Sequence, residues 1–191
     1  MSSKAGVILL VAGMLLLPGC GRRAPAPTIN DSMTEVMEPQ AQAIWDITSR
    51  AYNEIGDGLD GTKLSPADWA ALGKAGQQLK DRALVLADAK HVTVAGPGET
   101  IMGEQAAGIK GRIGPAWDAA SAKQVQARID ANPSLFVQRA RALADAGGAI
   151  VRASISKDTQ LLYTVSSGLD EACDACHLPF WGTDEPPPVP H

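Results

Sequence analysis

The spacing of the apolar residues restricts this chain more than any other feature of its sequence. Met33, Met37, Ile44, Thr48, Ala51 and Ile55 recur three, four or seven apart, and so do Trp69, Leu72, Leu79, Ala83 and Leu86. Two further sets repeat the pattern: Phe136, Ala140, Leu143, Gly147, Ile150 and Ser154, then Leu162, Val165, Leu169, Cys173 and Cys176. A period near 3.6 buries one stripe of a helix, whereas a half-buried strand needs a period of two, and runs of that kind are nearly absent. Aromatic residues make up only 4% of the 191, within a hydrophobic share of 45%. The chain is therefore predicted to be all-α, a four-helix bundle with a core that needs no disulfide framework.

Punctuation supports four helices. Ser65-Pro66-Ala67-Asp68 supplies an N-cap, a proline at the first helical position and an acid at the third, and Asn132-Pro133 repeats the first two. Asp158 is the expected cap of the fourth helix, which Pro179 is expected to end. The first helix starts near Asp31 and closes near Gly56-Asp57-Gly58. Pro39 interrupts it, so either the helix kinks there or a first turn carrying both Met residues precedes the main helix. Residues 91–131 are Gly-rich and without sustained period. They read as a long connection between helices two and three, with one short helix around Ala119 to Ile129.

The first 19 residues read as an export signal: Lys4, an apolar run from Ala5 to Leu17, then Leu17-Pro18-Gly19-Cys20. The run is short for a bilayer span, and its end resembles a bacterial lipoprotein signal, which implies lipidation of Cys20 and anchorage on the periplasmic side of the envelope. Gly21 next to the cysteine carries no Asp-type retention signal, which points to the outer membrane. Residues 20–30, with Pro25 and Pro27, make a tether, 31–181 the folded domain, and 182–191 a Pro-rich tail expected to be disordered.

Charge narrows the partners. With 17 Lys+Arg against 21 Asp+Glu the formal charge is -4, and no basic stripe suits nucleic acid. Lys74, Lys80, Arg82, Arg139 and Arg141 are expected to be solvated faces. No carboxylate pair, Ser/His/Asp set or phosphate loop is apparent, so the chain is not expected to be an enzyme.

One motif carries chemistry. Cys173-Asp174-Ala175-Cys176-His177 is the C-x-x-C-H sequence of covalent haem attachment. Thiols three apart on a helix can meet the two vinyl groups of one porphyrin while the adjacent imidazole reaches its iron. A thiol–disulfide centre usually opens a helix after a strand, and zinc needs more ligands than this cluster with the distant His91 and His191 readily offers. Two structural cysteines beside an unrelated histidine are the plainest alternative.

With Phe180 three residues after the histidine, a Met-containing first helix and Pro39-x-Ala41-x-x-Ile44-Trp45, this arrangement resembles the class II c-type cytochromes, cytochrome c prime and its low-spin relatives. The resemblance implies one covalent haem c on Cys173 and Cys176, and iron bound by His177. It further implies a first-helix residue on the other face of the iron: a Met gives an electron carrier, an apolar non-ligand a five-coordinate module for nitric oxide or carbon monoxide. The family's spacing favours Met33 as that ligand over Met37; an open site or His91 is the remaining choice, and Met102 is a weaker candidate. The expected function is single-electron transfer between exported redox proteins, with homodimers known among family members. Family members often carry a basic residue where this chain has Trp181, and an Arg where it has Ile29, which leaves the haem propionates without assigned partners. Trp45, Trp69 and Trp181 could line a haem pocket or fill the core.

Overall fold

Thr28, three residues before Asp31, caps the first helix. Its hydroxyl accepts from the Asp31 N–H at 3.0 Å while the Asp31 carboxylate accepts from the Thr28 N–H at 2.9 Å, a reciprocal cap. The computed structural model describes residues 27–101 and 120–182, so the export signal, Cys20, most of the tether, Met102 and the tail lie outside the described residues. Within them the protein is all-α. The sole extended pairing described is one antiparallel bridge, Tyr52 to Leu59.

Helix α1 (Ile29–Ser32) runs through a π-helical turn (Met33–Met37) directly into α2 (Glu38–Ala51). Pro39 explains the wide turn. It has no N–H to donate and its ring would crowd the carbonyl four residues back, so the helix widens just before it instead of breaking, and Glu38 N–H reaches back to Met33 O. The helix then stops at Ala51, where Tyr52 turns to ψ 140°. Ile55, expected on the inner face, falls beyond that end and is 80% exposed.

After a 3₁₀ turn (Gly61–Lys63), α3 (Pro66–Asp88) starts as its sequence dictates, with Ser65 and Asp68 capping reciprocally and Pro66 at the first position. The segment that follows satisfies donors at the start of α1: Thr93 O and Val94 O accept from Ile29 and Asn30 N–H at 2.8 and 2.9 Å. Short helix α4 (Ala122–Ala131) leads into α5 (Pro133–Ser156) with Asn132 alone between them. Asn132 is for that reason not the side-chain cap its sequence implied. Its N–H closes α4 onto Arg128 O and Ile129 O, and its side chain makes no capping bond.

Asp158 does cap α6 (Thr159–Ser167), accepting from Leu161 N–H at 2.9 Å. Gly168 separates α6 from α7 (Leu169–Trp181). Pro179 does not end α7, another departure from expectation. The helix continues through it to Trp181 and stops at Gly182, whose Cβ, if it had one, would run into the Leu178 carbonyl. Arg128 from α4 replaces the missing helical donors there, bonding Phe180 O at 3.0 Å and also Gly182 O. Phe180, fully buried, meets Phe136 of α5 edge-on at 5.7 Å. The end of α7 is thereby fixed to α4 and α5.

The most extensive helix pair is α3 with α5. It closes on two glycines: a Cβ on Gly147 would lie 2.7 Å from Gly76 O and 2.8 Å from Lys80 N, both backbone atoms that cannot swing aside. Gly147→Ala is expected to destabilise the protein by about 1–3 kcal/mol, overriding the gain of up to about 1 kcal/mol that alanine brings to a helix. Gly148→Ala, whose Cβ would meet only side-chain ends at 3.6 and 3.8 Å, is expected to be neutral or stabilising. Urea unfolding of the two variants checks this; equal stability would mean that the helices do not touch through Gly147.

Candidate functional site

Helix α7 packs chiefly on α4, α5 and α6, and a gap remains between it and the Met33–Met37 turn. That gap is a cavity of about 390 Å³. Its size falls in the roughly 300–1,000 Å³ range of small-molecule and cofactor sites. Cys173, Cys176 and His177 line it from α7, Met33 and Met37 from the π-helical turn, and Trp45 and Trp181 contribute aromatic surface. Leu79 and Leu86 of α3 and Phe136, Ala140 and Leu143 of α5 complete a mainly apolar wall. Segments from both ends of the chain thus meet around one space.

The spacing of the motif accounts for its placement. On a helix, residues 173, 176 and 177 share one face, and α7 turns that face inward because Leu169 and Phe180 anchor it at either end. Both cysteines are free thiols, partly buried. Burial, together with the Asp170 and Asp174 carboxylates, pushes the Cys173 thiol up to about 11. Burial pushes Cys176 up to about 12, with Cys173 adding to the rise and the Arg139 cation opposing it. Burial also lowers the His177 imidazole below its usual value, partly offset by Asp174. The neutral ring, the form that binds a metal, is favoured. His177 stacks edge-on with Trp181 at 5.6 Å.

These thiols have the opposite character to a thiol–disulfide centre, which works through a depressed pKa. The sign has a measurable consequence. At pH 8 the haem-free folded chain is expected to alkylate at Cys173 and Cys176 roughly a hundredfold or more slowly than the urea-unfolded chain, and to speed up as pH rises toward 11. Peptide-resolved mass spectrometry with iodoacetamide reads both rates, and similar rates in the two states would remove the burial argument.

Among the described residues no three His, Cys, Asp or Glu side chains converge to hold a bare metal ion. A porphyrin brings four of its iron's ligands with it, so it asks the protein only for axial donors. His91 is exposed and does not line the cavity, which removes it as the other axial donor. Trp69 is buried in the core away from the cavity wall. Met33 is half-buried, whereas Met37 is 5% exposed and belongs to the central core.

Arg139 overturns its sequence reading. Expected on a solvated face, it is partly buried, lines the cavity, and holds its Nε out of water with no hydrogen-bond partner. Its spacing carried the signal: three residues after Phe136 and four before Leu143, it sits within the inward stripe of α5. Lys74 and Arg141 are exposed as expected, Arg141 pairing with Asp88 at 2.7 Å.

Comparison with protein-family models, with curated proteins and with solved structures finds no match in any of the three, leaving the residues and their geometry as the guide to function.

Proposed function

We propose that the protein is a covalent haem c carrier of single electrons in the cell envelope, similar in plan to the class II c-type cytochromes and not an enzyme. The observation that carries this is the meeting of Cys173, Cys176 and His177 with Met33 and Met37 around one apolar cavity. On this reading the helical runs 29–51, 66–88, 133–156 and 159–181 act as a four-helix bundle, and the two thiols hold the haem by thioether bonds. His177 is the proximal iron ligand, neutral because it is buried. Met33 is the distal ligand, carried on the π-helical turn. Such turns recur at functional sites because they re-aim side chains that a regular helix would stack.

When bound, the haem supplies a ferric/ferrous couple. The chain's own residues would limit water around it: Trp45, Phe136, Leu143 and Trp181 line the space with apolar surface, which lowers its dielectric. Cys20 is the proposed lipid anchor, with the tether carrying the domain away from the outer membrane toward exported redox partners. No helix among the described residues is long and apolar enough to cross a membrane. The test is the visible spectrum of the full chain produced in a host that matures c-type cytochromes. A reduced spectrum of the haem c type that survives denaturation and solvent extraction is expected; a haem-free chain under those conditions would overturn the proposal.

A further inference from the structure

Among the described residues that line the cavity, Arg139 is the one Lys or Arg, and its buried Nε has no hydrogen-bond partner. Glu38, Asp170 and Asp174 line the same cavity, yet none of them accepts from that Nε. Leaving a guanidinium N–H desolvated and unpaired is costly, more so than for a neutral donor. A fold that retains such a group in an apolar cavity has a use for it when the cavity is filled. The chemistry that fits is a carboxylate, whose two oxygens match the planar fork of the guanidinium.

We infer that Arg139 binds a propionate carboxylate of the haem, an inference that rests on the haem reading above. The assignment answers a gap in the chain: neither Ile29 nor Trp181 can supply a cation, and α5 supplies one from a third helix instead. It is consistent with the buried face of that helix, where Phe136, Ala140 and Leu143 flank Arg139 on the cavity wall. The same placement gives Arg139 a second effect. A fixed positive charge beside the haem favours the ferrous form, which carries one positive charge fewer, and so raises the reduction potential.

The test uses the full chain with its haem attached, as wild type, Arg139→Leu, Arg139→Lys and Arg141→Leu. Arg139→Leu is expected to lower the midpoint potential and to shift the propionate bending bands in the resonance Raman spectrum. Arg139→Lys should restore most of the potential, since it keeps the charge, but not the wild-type bands, since it lacks the fork. Arg141→Leu removes an exposed cation that is already paired with Asp88, and should change neither. A separate reading comes from the haem-free chain: Arg139→Leu is expected to be at least as stable as wild type, because it deletes an unpaired buried group. Wild-type potential and bands in haem-loaded Arg139→Leu would overturn this inference alone, as would an equal shift in Arg141→Leu. Absence of covalent haem from the wild type would overturn the haem reading and this inference with it.

Discussion

Replacing Cys173 and Cys176 together with alanine is expected to abolish covalent haem retention completely, while either single replacement leaves a haem still tethered by one thioether. The reasoning is geometric. The two thiols lie three residues apart on the cavity face of α7, which is locked at one end by the Phe136–Phe180 contact and by the Arg128 bonds to Phe180 O and Gly182 O. A side chain on so fixed a helix cannot move aside, and neither Asp174 nor Ala175 can substitute for a thiol. The double variant should also unfold at lower temperature than the loaded wild type, because a group bound only by the folded state stabilises it and an empty apolar cavity does not. Haem staining after denaturing electrophoresis, with intact mass, reads retention directly. Retention in the double variant would mean that the haem is held without thioethers, and the role of the motif would be lost.

The helices were legible because each carries its own stripe. Leu72, Leu79, Ala83 and Leu86 all fall in the core of α3, and Phe136, Ala140 and Leu143 in that of α5. Caps were legible where the capping residue has free chain before it, as at Ser65 and Asp158, and illegible at Asn132, whose backbone is already occupied in ending α4. Pro39 was read as a kink or as following a separate first turn with both Met residues, and Pro179 as the end of its helix; neither breaks its helix. Pro39 is absorbed by a wider turn, and Pro179 stands so close to the end of α7 that Arg128 can serve the carbonyls left over. The motif named the cavity wall on α7 unaided. What the sequence concealed was the reversal at Arg139, since a charge was read as a mark of solvent although its helical position lay between two core residues. Local residue type and helical position disagreed there, and position won.

Met33→Ala is expected to convert a low-spin ferric protein into a high-spin one that binds carbon monoxide readily, and Met37→Ala to cost about 2–5 kcal/mol of stability with little change in the spectrum. The two residues are one turn apart and line the same cavity, so chemistry alone does not separate them. Burial does. Met37 is 5% exposed and packed into the central core, where a flexible thioether fills a gap and its loss leaves a void. Met33 is half-buried at the start of the π-helical turn, on the cavity wall and at the edge of the central core rather than inside it. Thioether ligation favours ferrous iron relative to a more basic nitrogen donor, so the Met33→Ala potential should also fall. Near-infrared absorption from sulfur-to-iron charge transfer should be present in the wild type and in Met37→Ala, and absent from Met33→Ala. An unchanged low-spin spectrum in Met33→Ala, lost instead in Met37→Ala, would move the ligand one turn along the helix. A wild type that is itself high-spin and takes up carbon monoxide or nitric oxide would show an open iron face, and would replace electron transfer with gas binding as the function of the same cavity.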